Sequence, residues 1–201
     1  MFKKTVIAVA LLVTAHANAA LVVDTGVPNA LVLDRNDWLA GQMTFSQALT
    51  INSISAWLND QGNIASGFAG DKFTVALYNN SGNVPGSLVS RAKGHFTTAS
   101  GNSGWNGAFN LNWSVGPGIY WAAFEIECSD TFAGVAQTNA PNPLAHYAFN
   151  DGSGYHAFSG SAFGVQVGGT VAAVPEPESY ALMLGGLGLL GFIARRKKQA
   201  A

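Results

Sequence analysis

The sequence predicts an all-β domain, an antiparallel two-sheet sandwich or jelly roll, flanked by an N-terminal signal helix and a C-terminal transmembrane helix. Three observations predict this fold class. Short segments in which apolar and polar residues alternate recur through residues 20–173, as they do in half-buried strands. Clusters of Gly and Asn separate these segments, which is typical of tight turns. No amphipathic helical stripe interrupts them.

The first segment, residues 1–19, is predicted to be a secretory signal peptide. Two lysines beginning at Lys3 precede an apolar core at residues 6–13, and Ala17-Asn18-Ala19 follows that core. A basic start, an apolar core and small residues before the cut are the features of a cleaved export signal. We expect cleavage after Ala19.

The central domain, residues 20–173, carries little charge. It contains four cations and nine carboxylates, a net charge of about −5. A nucleic-acid-binding domain needs a basic stripe, so the composition excludes nucleic acid as a partner. The single cysteine, Cys128, excludes an intrachain disulfide. We expect it to be a small buried residue at the end of a strand.

Five strands are predicted in the first half of the domain. The clearest alternation places Ile54, Ala56 and Leu58 on one face of a strand and the intervening residues on the other. After the fifth strand, Asn79-Asn80-Ser81-Gly82-Asn83 predicts a turn. The predicted strands cover residues 21–23, 31–33, 42–45, 49–58 and 73–78.

Five more strands are predicted in the second half. Trp105-Asn106-Gly107-Ala108 indicates a hairpin, because Asn-Gly accepts the positive φ angles of a type I′ turn. The segment before Glu125 is almost entirely apolar, which predicts a central strand covered on both faces. The strands cover residues 109–113, 118–128, 132–136, 144–149 and 163–167.

The C-terminal segment, residues 174–201, has three parts. Pro175, Glu176 and Pro177 predict an extended spacer, since proline disfavours helix in the residue before it. An apolar run then predicts a transmembrane helix that begins near Ser179. Its side chains expected in the membrane are Tyr180, Leu182, Leu184, Leu187, Leu189, Leu190, Phe192 and Ile193. Its basic stop is Arg195, Arg196, Lys197 and Lys198, which should stay on the cytoplasmic side of an inner membrane.

The apolar run is short for a permanent anchor. Residues 180–194 as a helix span roughly 23 Å, against a hydrocarbon core of about 30 Å. Four glycines weaken the helix further. We therefore expect the run to hold the chain in the inner membrane only transiently.

The order of these parts closely resembles the PEP-CTERM sorting signal over residues 174–198. The resemblance implies that exosortase, a membrane-embedded cysteine transpeptidase-like protease, recognises Pro175, Glu176 and Pro177 and cleaves the tail. It implies a Gram-negative host that makes extracellular polysaccharide, with the body released or attached at the cell surface. An ordinary C-terminal tail anchor is the alternative.

A second resemblance lies within the domain. Lys72-Phe73-Thr74-Val75-Ala76-Leu77-Tyr78, the Asn/Gly turn and the returning strand through Ser90 are similar to bacterial secreted β-sandwich modules that carry varied anchoring tails. With Gly118-Ile119-Tyr120-Trp121, the similarity extends over residues 42–128. No general activity is assigned to these modules, so the resemblance implies a fold and says little about function.

Catalytic and metal-binding signals are few. Glu125 and Glu127 lie two apart on a predicted strand, and paired carboxylates are what glycoside hydrolysis requires. The favoured interpretation is a solvated strand edge, with a small glycoside hydrolase or lyase as the alternative.

No metal or cofactor site is predicted. His95, His146 and His156 are too widely spaced to indicate a metal site. Asn150, Asp151 and Ser153 form a conceivable calcium loop, although a turn explains them better.

The tryptophans provide the stronger binding hypothesis. Aromatic faces stack on sugar rings, and amide side chains bind hydroxyls. Trp57 and Trp105 are the best surface candidates for a glycan contact, because polar residues or a turn surround them. We expect a non-enzymatic, secreted surface or matrix protein of structural or adhesive type, with a carbohydrate-binding module for exopolysaccharide as the alternative.

Overall fold

The computed structural model describes residues 20–29, 38–60, 72–98, 102–127, 130, 134–136, 138–159, 163–171 and 177–199. These residues form twelve strands and one helix. The strands belong to a compact unit within Ala17–Ala172, and the helix belongs to a separate unit that includes Ala173–Ala201. The predicted signal peptide, the predicted strand at residues 31–33 and Cys128 lie outside the described residues.

The described strands range from three to twelve residues in length. In chain order they are β1 (Ala20–Asp24), β2 (Trp38–Phe45), β3 (Leu49–Asp60), β4 (Lys72–Ser81), β5 (Val84–His95), β6 (Ser103–Ala108), β7 (Trp113–Val115), β8 (Gly118–Glu125), β9 (Gly134–Ala136), β10 (His146–Asn150), β11 (Tyr155–Ser159) and β12 (Val165–Val171).

All of these strands belong to one hydrogen-bonded network, and every pairing is antiparallel. The order is β1-β12-β3-β6-β5-β4-β8-β2-β10-β11, and β7 and β9 also pair with β3. The all-β antiparallel class is therefore confirmed. The two-sheet sandwich is not confirmed, because β6 and β5 connect the two halves of the network, through the single pair Gly107 and His95.

Both halves of the network contribute to one apolar core. Ile54, Ala56 and Leu58 of β3 are buried as their alternation predicted. From the other half, β4 adds Phe73, Val75 and Leu77 to the same cluster. The opposite face of β4 therefore points away from this core.

The half that runs from β5 to β11 curls toward its second face. β11 lies five places from β5 in the strand order, yet Cα atoms of the two strands approach within 8 Å. A second, smaller cluster lies on this face. It contains Ala40, Ala76, Trp121, Ala123 and Ala148.

The turn between β4 and β5 is confirmed at the position the sequence predicted. Gly82 and Asn83 both have positive φ, 59° and 63°, and Ser81 pairs with Val84 across them. Two positive φ angles in a two-residue loop define a type I′ turn, whose twist matches that of the flanking strands.

The hairpin predicted at residues 105–108 is wrong. These residues lie within β6, and Asn106 is 0% exposed. Its side-chain oxygen accepts a hydrogen bond from the Thr97 amide at 2.8 Å, and its nitrogen donates to Leu58 O at 3.2 Å. Gly107 is explained by close packing, since a Cβ there would lie 2.5 Å from Ser55 Cα.

Three other strand boundaries differ from the prediction. The chain turns at Asn110, where φ is 57°, so the predicted strand at residues 109–113 is replaced by β7. The central strand ends at Glu125 rather than at Cys128. β11 was not predicted, because a five-residue edge strand provides little periodicity.

The helix α1 (Pro177–Gln199) begins at the last proline of the spacer. Proline is favourable in the first turn of a helix because its missing N–H has no helical partner there. Among the described residues, no helix combines the length and apolar character that a membrane crossing needs. The predicted helix is present, and its crossing of a membrane is not confirmed. Only residues 179–194 lie between Glu178 and the basic cluster, which limits the length of the uncharged part of the helix.

Candidate functional site

Glu125 lies on the second face of the curled half, at the end of β8. It follows Trp121 and Ala123 at alternate positions and is only 2% exposed. The interpretation of Glu125 as part of a solvated edge is therefore wrong. A buried carboxylate requires hydrogen-bonding partners, because desolvation penalises its charged form.

A transverse row of alanines forms the floor of this face. Each member lies opposite the next on the neighbouring strand, so the row crosses five strands. The row is Ala76, Ala123, Ala40, Ala148 and Ala157. Small side chains leave room for aromatic rings above the sheet. The fully buried Trp121 and the rings of Tyr78 and Tyr155 pack in this space.

Two tyrosines hold the Glu125 carboxyl group. The hydroxyl of Tyr78 donates to Glu125 Oε1 at 2.8 Å, and the hydroxyl of Tyr155 donates to the same oxygen at 2.6 Å. Their ring centroids are 6.0 Å apart at an interplanar angle of 62°. Three strands, β4, β8 and β11, thus meet at a single oxygen atom.

Burial controls the ionisation of this group. Desolvation raises the pKa of Glu125, and the two tyrosine hydrogen bonds oppose that rise only in part. Burial also raises the pKa of Tyr78 and of Tyr155, and the neighbouring Glu125 raises both further. The tyrosines therefore remain hydrogen-bond donors at physiological pH.

Glu127 lies beyond the end of β8 and has different partners. Arg91 Nη1 approaches Glu127 Oε1 at 2.6 Å, and Lys93 Nζ approaches Glu127 Oε2 at 3.5 Å. Lys93 also pairs with Asp130 Oδ1 at 2.6 Å. This hydrogen bond is the main cause of the raised pKa of Lys93.

Asp130 is the buried member of this ion-pair network, with a side chain that is 0% exposed. Its Oδ2 accepts hydrogen bonds from the Thr74 hydroxyl at 2.9 Å and from the Glu127 amide at 2.8 Å. The cations of β5 therefore fix the segment that follows β8.

A cavity of about 320 Å³ adjoins the ion-pair network. Its lining includes Glu127, Arg91 and Lys93 but does not include Glu125. The structure thus brings the two predicted carboxylates near one strand end without placing both in one cleft. Among the described residues, Glu125 is a carboxyl group that is hydrogen-bonded to two tyrosines, and Glu127 belongs to a surface ion pair.

Trp57 and Trp105 are brought together by the fold. They are directly opposite each other on β3 and β6, with ring centroids 5.3 Å apart at 75°. Both side chains are half-buried. An edge-to-face pair of this kind leaves aromatic surface for a further contact.

Asn150, Asp151 and Ser153 lie in the turn between β10 and β11, which is the interpretation that the sequence favoured over a calcium loop. Asn150 Oδ1 accepts hydrogen bonds from the amides of Gly152 and Gly154 at 2.8 and 3.1 Å. Asp151 Oδ1 accepts from the Ser153 amide at 3.0 Å and from its hydroxyl at 2.6 Å. These two bonds lower the pKa of Asp151. The side-chain oxygens thus stabilise the turn, and calcium binding stays untested.

The histidines of the domain are distributed over three strands. His95 ends β5, His146 begins β10 and His156 lies on β11. In the part of the chain that the structure describes, no group of three His, Cys, Asp or Glu residues is arranged to hold a metal ion.

Comparison with known protein families identifies the C-terminal segment. The model of the PEP-CTERM protein-sorting motif matches residues 173–198. The chain carries a PEP-CTERM sorting signal. The motif is consistent with an exosortase substrate and indicates export with membrane-associated sorting. A search of curated proteins found no match to the chain.

The PEP-CTERM motif begins two residues after β12 ends at Val171. Pro175 and Glu176 lie outside the described residues, whereas Pro177 opens α1. The described apolar side chains of α1 from Leu182 to Ile193 are exposed. Arg196 lies over the Phe192 ring at 5.9 Å, so the basic end of the motif contacts its apolar run.

Several residues of the site were missed by sequence reasoning. In the strand predicted at residues 73–78, Tyr78 lies on the same face as Thr74, so the local sequence already indicated the orientation of its side chain. Arg91 and Lys93 are two of only four cations in the domain and lie two apart, which was a signal of shared orientation on a strand. Tyr155 had no such signal, because its contact depends on the curl of the sheet.

Proposed function

We propose that this chain is a secreted surface or extracellular-matrix protein with a structural or adhesive role, sorted and processed by exosortase. The observation that carries the proposal is the PEP-CTERM motif at residues 173–198. Its position directly after the last strand means that the tail can be removed without cutting the β unit. Processing thus leaves a complete domain for use outside the cell.

The β unit supports a role without catalysis. Glu125 is enclosed by Tyr78 and Tyr155, and Glu127 is paired with β5 cations. Both carboxylates thus have hydrogen-bonding or ionic partners, and neither is left unpaired as a candidate catalytic acid or base. The domain's other described features, a closed apolar core and short turns, favour a stable scaffold that presents surface.

The sorting proposal is tested by intact-mass measurement of the protein from culture medium and from cells, with and without exosortase. We expect the exported protein to lack residues 1–19 whether or not exosortase is present. The basic tail should be missing only when exosortase is present. Glu176→Ala should leave the tail attached, whereas the matched change Glu178→Ala, outside the Pro-Glu-Pro motif, should still be processed. Recovery of Arg195 to Lys198 on the mature protein in the presence of exosortase would contradict the proposal.

A second candidate function is carbohydrate binding. The observation that favours it is the cross-strand pair of Trp57 and Trp105, which places two half-buried indoles side by side. The exposed part of each indole provides apolar surface against which a sugar ring can stack. Retardation of the chain by exopolysaccharide in an affinity gel tests this function, and unchanged mobility at high polymer concentration would count against it.

A further inference from the structure

The face around the tryptophan pair is rich in hydrogen-bonding groups. We call it the tryptophan face and define it by Ser53, Trp57 and Asn59 of β3 with Ser103 and Trp105 of β6. All five residues are half-buried. Asn59 Nδ2 donates to Ser103 Oγ at 2.9 Å, in the row of the sheet next to the tryptophan pair. Hydroxyl and amide groups thus lie beside the aromatic surface.

Three buried glycines lie close beside the tryptophan face. A Cβ at Gly164 would lie 2.7 Å from Trp57 Cβ, and one at Gly168 would lie 2.5 Å from Ser53 Oγ. On the other side of β3, Gly107 lies opposite Ser55. All three glycines are buried, so they let the neighbouring strands and Pro28 pack closely beside the indoles.

The tryptophan face is also uncharged. On the described outward positions of β3, β6 and β12, no Asp, Glu, Lys or Arg is present. Asp24 of β1, which lies beyond β12 from β3, accepts a hydrogen bond from Gln166 at 3.2 Å. The cations Arg91 and Lys93 are paired with carboxylates in the other half of the network.

We propose that the tryptophan face binds an uncharged polysaccharide, with sugar rings against the indoles of Trp57 and Trp105 and hydroxyls against Asn59 and Ser103. This inference rests on the carbohydrate-binding candidate above and specifies its ligand class. Recognition of an anionic polysaccharide would require Arg or Lys beside the aromatic surface, because these residues pair with carboxylate and sulfate groups. A neutral chain needs only stacking and hydrogen bonds, which the face supplies.

The test is affinity gel electrophoresis of the purified full chain in gels that contain a neutral β-glucan, a mannan, alginate or hyaluronan. We expect a neutral polymer to retard the chain and the two anionic polymers to leave its mobility unchanged. Retardation should persist over a roughly tenfold range of ionic strength, since uncharged ligands are not screened. Trp-dependent binding of an anionic polymer would overturn the ligand class but leave carbohydrate binding intact.

Two variants locate the site. Trp57→Leu and Trp105→Leu keep apolar bulk but remove the aromatic face, and each should weaken binding roughly tenfold or more. Phe158→Leu on β11, which removes another exposed aromatic ring, is the matched control and should bind as the unaltered chain does. Equal binding by all three variants would overturn the site. Failure of every polymer to bind would overturn the carbohydrate-binding candidate itself, while the mass measurement would still report on sorting.

Discussion

Tyr155 on β11 donates its hydroxyl to Glu125 on β8 at 2.6 Å, although β2 and β10 lie between these strands in the sheet. Three strand spacings on a flat sheet amount to about 14 Å, and side chains stand roughly perpendicular to the sheet. The hydrogen bond is possible because the sheet curls toward its alanine row. Glu125 therefore connects the edge strand to the centre of the curled half.

The first prediction concerns Glu125→Gln. Burial raises the pKa of Glu125 above its unfolded value, so the folded state binds this proton more tightly. The contribution of Glu125 to stability is full below the unfolded pKa and is lost as the pH rises through the folded pKa. The variant should raise the free energy of unfolding by about 1 to 2 kcal/mol at neutral pH, measured by urea unfolding across a pH series.

Glu127→Gln is the matched control for that change, because Glu127 is 29% exposed and paired with cations. It should not increase stability at neutral pH. A Glu125→Gln variant that is less stable than the unaltered chain at every pH would show that the carboxylate is net stabilising, which contradicts a destabilising effect of its burial.

The second prediction concerns the tyrosine hydroxyls. Tyr155→Phe removes a buried hydrogen bond to a carboxyl group, and we expect a loss of about 1 to 3 kcal/mol in unfolding free energy. Tyr120→Phe should change it by less than about 0.5 kcal/mol, since the Tyr120 hydroxyl donates to Gly116 O at 3.2 Å in an exposed position. Equal losses from the two changes would mean that the Glu125 contact has no special energetic role.

The third prediction concerns the alanine row. Ala123 is fully buried beside Trp121, so Ala123→Leu should overpack the small cluster and cost about 1 to 3 kcal/mol. Ala157→Leu, at the half-buried end of the row on β11, should cost less. Thermal unfolding by circular dichroism compares the two, and a reversed order would refute the packing described for this face.

The fourth prediction separates the two cations of β5. Lys93→Met leaves the fully buried Asp130 carboxylate without its cation, and we expect a loss of about 1 to 3 kcal/mol. Arg91→Met removes an ion pair whose arginine is 58% exposed, so the loss should stay below about 1 kcal/mol. Urea midpoints at low and high salt measure both. A larger loss for Arg91→Met would contradict the assigned roles.

The fifth prediction concerns the β4–β5 turn. Asn83 has a φ of 63°, a conformation that costs an alanine roughly 1 to 2 kcal/mol. Asn83→Ala should destabilise the domain by about that amount, whereas Asn83→Gly should be close to neutral, because glycine adopts positive φ readily. If both variants unfold at the same urea concentration, backbone conformation is not what selects asparagine here.

Local patterns predicted the parts of the fold that depend on neighbouring residues. The alternation in β3 and β4 and the turn at Gly82 and Asn83 are set within a few residues of sequence, and the structure confirms them. The two tryptophans were chosen separately as surface candidates. Their pairing required the register of β3 with β6, which no local pattern contains.

Long-range contacts explain what the sequence did not predict. Glu125 follows an apolar run, so local reasoning placed it at a solvated edge. It is buried because Tyr78 and Tyr155, 47 and 30 residues away, close over it. Asn106-Gly107 was assigned to a turn from the dipeptide alone. Its actual place within β6 depends on the distant Leu58 carbonyl and on close packing against Ser55.

The pairing of β1 with β12 has a consequence for secretion. The first and last strands of the domain are hydrogen-bonded neighbours, with Val23 opposite Val167. A chain that crosses the membrane from its N-terminus delivers β12 last, immediately ahead of the sorting motif. The sheet can be completed only after almost the whole polypeptide has emerged, so maturation of the fold and presentation of the tail to its protease come at the same late moment of export.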